Sequence, residues 1–426
     1  ETAYELAEGR LRAALPAYGN LVHPEPVKLA EIQALLDGDT VLLEIALGEK
    51  RSFLWKVTPT SLASFELPAR AVIEKAAREA YASLSSPNAQ EGARRREPLD
   101  RLGRLLFGPL AGGLSGKRLA VVAGEALQYV PFAALTLPSG EPVIDRYEVV
   151  SLPSAAVLGE LRRKAASRPP APGALAILAD PVFGEDDPRV RKAGQASAPA
   201  PRRGEEITRG ADLERAARDA GTGTFPRLAW TRREAELATA QAGERKVLVA
   251  LDFQANRETA TGPDLARYRV VHFATHGLLD SRHPEISGLV LSLVDEQGRP
   301  RDGFLRLPDI YNLDLGAELV VLSGCQTALG REIRGEGLMG MSRGFFYAGA
   351  SEVLASLWAV RDRATAELMQ RFYRAMFQQG LSPAAALRAA QLSMRREPRW
   401  RDPYFWAAFN LQGDWRGASP GPAGTR

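Results

Sequence analysis

Along the chain, apolar positions switch repeatedly between helical and strand spacing. Over residues 1–36, Leu29, Ile32, Leu35 and Leu36 fall at helical intervals with no alternation, which predicts a helical lead-in. From Thr40 the period changes. TVLLEIALGEKRSFLWKVT reads as two strand runs around a turn at Gly48, a hairpin by its spacing. The Ala- and Glu-rich stretch from Arg70 to Ser83, apolar at 72, 73, 76 and 77, then reads as a helix. KRLAVVAG and DRYEVVSLPS follow as short buried strands, so residues 37–165 read as an α/β half. A polar stretch with three prolines, Arg162 to Pro172, marks a boundary.

A second alternation occupies residues 170–415 and opens with GALAILADPVFG. Residues 184–225 interrupt it. Among those 42 residues only Val190, Ile207, Leu213 and Phe225 are large and apolar, which reads as a mobile surface insertion or as an activation or cleavage loop. Beyond it the pattern gives a helix at TRREAELATAQAG and strands at RKVLVAL, RYRVVHFAT and AELVVLSG. A helix near 337–347, the strand SEVLASLWAV and a helix over 364–379 ending at Gly380 come next. Ser382 and Pro383 start a further helix, YFWAAFNLQG closes the fold as a strand, and 416–426 is a Gly/Pro/Ser tail read as disordered. No internal repeat is visible.

The length of 426 residues suits two or three compact units. No stretch approaches the ~18 consecutive apolar residues of a membrane span, and no signal peptide is visible. The first residue, Glu1, is not Met, which points to a piece of a longer protein. Lys and Arg number 55 against 51 Asp and Glu, a net charge of +4; Arg supplies 47 of the cations. They form neither a run of five like charges nor an aromatic-interleaved stripe, which argues against nucleic-acid binding. The single cysteine, Cys325, cannot form an internal disulfide and fits a reducing cytoplasm.

Two successive strands end in reactive side chains. VVHFATHG ends at His276-Gly277 and LVVLSGC at Cys325, 49 residues later. In a parallel α/β sheet, chemistry collects where strands end and loops begin, so neighbouring strands would bring imidazole and thiol together. A free thiol is only a few per cent thiolate at neutral pH; His276 can supply the base and later protonate a leaving amine. Gly277 would turn tightly after the histidine, its N–H and that of Cys325 facing an oxyanion, and Gly324 would leave room for substrate. A buried structural cysteine is the plain alternative. His272 and His276 lie four apart on a strand, hence on one face, and with His283 and Cys325 could be drawn as a zinc site, although no CxxC or HExxH accompanies them. His272 reads more simply as a core residue.

From Leu29 to Gly413 the chain resembles a CHAT domain, of the caspase-like cysteine peptidase clan that also holds separases, metacaspases and gingipains. The resemblance rests on LLEIALGEKRSFLWKVT, HFATHGLLD, DGFLRLPDI, VVLSGCQTALG, GEGLMGMSRGFFYAGASEVLASLWAVRD and DPYFWAAF, in that order. It implies a caspase-like α/β/α sandwich with a mostly parallel sheet, an N-terminal pseudo-protease-like half and a C-terminal catalytic half. It also implies His276 as general acid/base, Cys325 as nucleophile and the Gly277 N–H in the oxyanion hole, with neither metal nor organic cofactor. Many relatives carry tetratricopeptide repeats upstream as sensor or docking modules.

These readings converge on a cysteine endopeptidase that cleaves a protein partner through a thioacyl-enzyme, in regulated proteolysis of bacterial signalling or defence. The rival is a silent CHAT scaffold or partner-binding module, since fold alone does not certify activity; a cysteine transferase or amidase is a third reading. Asp362, Glu336 and Asp302 are the candidate acids of a substrate pocket.

Overall fold

The computed structural model describes residues 27–86, 93–110, 113–191, 213, 225–278, 287–326 and 337–417; at 93–94, 325–326 and 337–339 it describes the main chain. Of the lead-in, α1 (Leu29–Leu35) lies within that range; residues 1–26, most of the 184–225 insertion and the tail beyond Gly417 lie outside it.

The hairpin forms as expected, β1 (Thr40–Ala46) against β2 (Ser52–Thr58), with Leu42 opposite Val57. A third strand, β3 (Ser61–Leu67), then extends it at the sheet edge where the sequence reading goes straight to a helix. Only Leu67 of β3 is buried, so the strand sends almost no apolar signal. A polar edge is also one that resists pairing with other chains. Helices α2 (Arg70–Ser85) and α3 (Ala93–Phe107) follow and pack together. Strand β4 (Arg118–Ala123), the short α4 (Val143–Arg146), β5 (Glu148–Leu152) and α5 (Ala155–Ala166) complete the first half. Strands β1, β4 and β5 run parallel.

The second half supplies β6 (Gly173–Ala179), β7 (Val247–Leu251), β8 (Tyr268–Ala274), the short β9 (Gly277–Leu278), β10 (Gly288–Val290), β11 (Phe304–Arg306), β12 (Leu319–Leu322), the two-residue β13 (Cys325–Gln326), β14 (Glu352–Ser356) and β15 (Phe409–Gly413). Its helices are α6 (Ala229–Ala242), α7 (Arg257–Thr261), α8 (Leu307–Tyr311), α9 (Gly337–Ala348), α10 (Asp362–Phe377), α11 (Pro383–Arg396) and α12 (Pro403–Trp406). The YFW stretch read as part of the last strand is thus α12. All seven residues of β6 are buried, the pattern of a strand covered on both faces. Helix α11 starts where the sequence indicates, with the Ser382 hydroxyl accepting from the Ala385 N–H and Pro383 at its first turn.

The large sheet has eleven strands in the order β3-β2-β1-β4-β5-β15-β14-β12-β8-β6-β7. Strands β14, β12, β8, β6 and β7 form a parallel ladder. Strand β15 runs antiparallel to β14 and places Leu411 beside Val150 of β5. The two halves on either side of residue 165 therefore share one sheet, and one apolar core runs through both. Polar ties reinforce the junction: Arg162 makes a two-point contact with Asp414, and the Tyr81 hydroxyl donates to the Leu357 carbonyl at 3.0 Å. A second, four-stranded sheet, β11-β10-β9-β13, covers a smaller core of Leu278, Val290 and Phe304. Among the described residues no helix is long and apolar enough to cross a membrane.

Candidate active site

Strand β8 ends at Ala274 and β12 at Leu322; each chain leaves the large sheet, runs two residues and re-pairs in the small one, as β9 and β13. In that parallel ladder Cys325 stands opposite Gly277. The backbone of the cysteine thus runs beside the residue that follows His276. Gly324 permits the approach, because a Cβ there would lie 2.2 Å from the Thr275 carbonyl oxygen. Backbone closure, rather than room for substrate, is what this glycine provides. Gly277 is not a turn residue either: it lies within β9, paired on one side with Cys325 and on the other with Leu289 of β10.

His276 itself is 2% exposed. Its ring sits between Phe183 and Phe225, at centroid distances of 5.1 and 5.7 Å. Nε2 lies 2.7 Å from the carbonyl oxygen of Pro226. A carbonyl only accepts, so Nε2 carries a proton and the neutral ring keeps its lone pair on Nδ1. Burial pushes the imidazole below its ordinary pKa, with the Pro226 hydrogen bond acting the other way. The group is held in the form a general base needs.

Pro226 is fixed by its neighbour. Arg227 places Nε and Nη2 at 2.9 and 2.8 Å from the two carboxylate oxygens of Asp180, which is fully buried just past the end of β6. Arg232 of α6 donates to the same carboxylate at 2.9 Å, and Arg189 donates to the Asp180 carbonyl at 2.7 Å and to Asp252 at 2.7 Å. Asp180 holds a φ of +50°, a left-handed conformation unusual for a side-chain-bearing residue. The paired carboxylates raise the Arg227 and Arg232 guanidinium pKa values, against the opposing effect of burial. Arg189 also lies 3.1 Å from Asp180 Oδ1, and three arginines around one buried carboxylate make a rigid, charge-assisted clamp.

His272 lies in a separate polar pocket. It is fully buried in β8, with Nδ1 3.0 Å from the Tyr373 hydroxyl and Nε2 within 2.9 Å of Ser323 Oγ and 3.0 Å of Glu234 Oε1. The inference that His272 and His276 share a strand face fails, because β8 ends at Ala274, before His276. Their neighbours are accordingly different. Among the described residues no group of three or more His, Cys, Asp or Glu side chains is placed to hold a metal ion; His283 lies outside them.

Of the candidate pocket acids, Asp362 opens α10, and burial followed by the nearby Glu234 raises its pKa. Asp302 pairs with Arg257 at 3.8 Å. Glu336 lies outside the described residues. Sequence reasoning did not single out Phe183, Pro226, Asp180 or Arg227, and it placed Phe225 and Arg189 in a loop. The available signal was the Phe225-Pro226-Arg227 triplet closing a long polar run, directly before α6.

A family model for the CHAT domain matches residues 96–414. Tetratricopeptide repeat protein 28 of Mus musculus is 26% identical over 367 residues, covering 75% of this chain and 13% of that protein. The Homo sapiens protein of the same name is 33% identical over 109 residues, 26% of this chain and 4% of that one. Among solved structures, a chain of the Saccharomyces cerevisiae separase–securin complex superposes with a TM-score of 0.53 at 11% identity, over 93% of this chain and 30% of that one. At that identity the likeness is one of fold, a caspase-like α/β arrangement with a large, mostly parallel sheet. The chain spans less than a third of the length of each of these relatives.

Proposed function

The chain belongs to the CHAT domain family, and on that premise we propose that it is a cysteine endopeptidase acting through Cys325 and His276. The observation that carries the reading is the β9–β13 ladder, which sets Cys325 opposite the residue after His276. In the reaction, His276 Nδ1 takes the thiol proton as sulfur adds to the peptide carbonyl, and the amides of Gly277 and Cys325 face the developing oxyanion. The imidazolium then protonates the leaving amine, giving a thioacyl-enzyme. Water, deprotonated by the same Nδ1, adds to the thioester; the thiolate leaves and the acid product departs. The Nε2–H bond to Pro226 holds the ring in the tautomer that this sequence of proton transfers requires.

Asp362 is the acid assigned to substrate selection, favouring a basic residue before the scissile bond. The substrate is a protein partner in a reducing cytoplasm, with the single free cysteine as support. Tetratricopeptide repeats outside this segment are the docking element assigned, from the name of the mouse and human relatives. A bacterial setting draws no support from those two proteins.

A second reading has its own observation. His276 is 2% exposed beneath Phe183 and Phe225, which suits a silent, partner-binding domain as well as a closed enzyme. A peptide-based electrophile library separates the two. The peptidase reading requires covalent modification of Cys325, loss of labelling in His276→Ala, and cleavage activity that Cys325→Ala abolishes. A folded protein that no peptide electrophile labels, with or without candidate partners, supports the silent module.

A further inference from the structure

Away from His276, a cavity of about 650 Å³ opens between α3, the 134–145 loop and the end of α11. That volume is within the ~300–1,000 Å³ of small-ligand pockets. Its two carboxylates are already engaged: Asp100 accepts from the Thr136 hydroxyl, and Asp145 pairs with Arg395. Four more arginines line the same space. Arg96 and Arg104 come from α3, Arg396 from the end of α11 and Arg401 from the following turn, and among the described residues their guanidinium groups have no hydrogen-bond or ion-pair partner.

We propose that this cavity binds a phosphorylated small molecule of nucleotide size. The negative end of α11 explains why Arg395 and Arg396 sit in its last turn. Arg104 has the same place in the last turn of α3, but no helix end explains Arg96 and Arg401, which reach the same space from two other segments. Arg395 offsets Asp145 and Asp100 keeps its charge, so the four arginines outnumber the one remaining carboxylate; cations in such excess repel one another, and an entering anion reduces that penalty. Arginine forks match phosphate oxygens two at a time, so four of them suit two or more phosphoryl groups. The remaining volume and the apolar wall of Leu99, Pro138 and Leu392 leave space for a nucleoside-sized body.

Isothermal titration of the full 426-residue chain with inorganic tripolyphosphate, ATP and citrate tests this. Tripolyphosphate and ATP should bind one per chain, with affinity falling steeply as salt rises, as for phosphate held by cations. The double variant Arg96→Ala, Arg401→Ala should weaken both at least tenfold, and Arg51→Ala, on the exposed face of another segment, should change neither. Because Arg96 and Arg401 are exposed and unpaired, the double variant should keep the wild-type melting temperature. Absence of saturable binding up to millimolar ligand, equal affinity in the double variant, or citrate binding as tightly as tripolyphosphate would each overturn the proposal. The readout is binding alone, so it stands or fails apart from peptidase activity.

Discussion

The Nε2 nitrogen of His276 lies 2.7 Å from the carbonyl oxygen of Pro226, and the next residue, Arg227, is locked onto the buried carboxylate of Asp180. The orientation of the imidazole is thereby set by an ion cluster that does not touch it. Asp180→Asn removes the charge that holds Arg227, Arg232 and Arg189 together and frees the Pro226 carbonyl to move. A misplacement of about 1 Å near a reacting group costs up to ~100-fold in rate, so kcat should fall roughly 10- to 100-fold with KM little changed. Arg227→Ala should act alike. In a double-mutant cycle with Asp180→Asn the two losses should be far from additive; additive losses, or a loss confined to KM, would separate the clamp from His276.

The pH dependence follows from the same packing. Burial holds His276 below its ordinary pKa of ~6.5, so the base stays neutral to lower pH and the acid limb of kcat/KM should lie below pH ~6.5. Phe183→Ala or Phe225→Ala admits water to the ring, and the limb should move up toward ~6.5. Stability runs in the same direction. Between the depressed folded value and ~6.5 the unfolded chain binds more protons, so the contribution is full above ~6.5 and is lost as pH falls through the folded value. Acid limbs that coincide in wild type and both Phe variants would show that those rings do not set the titration.

The two strand ends were legible because VVHFAT and LVVLSG are buried runs that stop at reactive residues, and buried strands announce themselves by composition. Strand β3 was not, since an edge strand that buries only Leu67 lacks that signal. Nor was the cluster around His276. Asp180, Arg189 and Arg227 are charged residues whose meaning lies in pairing across 47 and 63 residues of chain, and charge in a Pro- and Gly-rich run reads by default as solvated loop. The short β9 and β13 were invisible for another reason: two-residue strands carry no periodicity.

Glu352 is fully buried on β14, where among the described residues no donor satisfies either carboxylate oxygen in good geometry, the Gly417 backbone N–H offering only a weak opposing effect. Burial first, then the nearby Asp414 and Glu318 carboxylates, raise its pKa well above the usual range. A raised folded value means that the native state holds a proton the unfolded chain releases above ~4.5. The contribution to stability is therefore present at low pH and is lost as pH rises toward the folded pKa. Glu352→Gln, which keeps the shape without the ionisation, should raise the melting temperature at pH 8 and change it much less at pH 4.5. Equal effects at the two pH values would show that Glu352 is not neutral in the fold.

His272 is where structural and catalytic roles can be told apart. Its ring joins Tyr373, Ser323 and Glu234 into a buried network, and Glu234 is only 1% exposed. Ser323 Oγ is the hydrogen-bond partner of Nε2 and the Tyr373 hydroxyl that of Nδ1, while the Glu234 carboxylate lies 3.0 Å from Nε2 without completing a hydrogen bond. Removing the ring strands these partners in the core, and each unsatisfied buried polar group costs about 1–3 kcal/mol. His272→Ala should thus lose on the order of 2–5 kcal/mol in denaturant unfolding. Its effect on turnover should be smaller than that of His276→Ala, because among the described residues its link toward Cys325, the proposed nucleophile, runs through Ser323, two residues earlier. Assays run well below the variant's melting temperature separate the two effects. If His272→Ala is as inactive as His276→Ala while still folded, His272 takes part in the chemistry rather than in the scaffold beneath it.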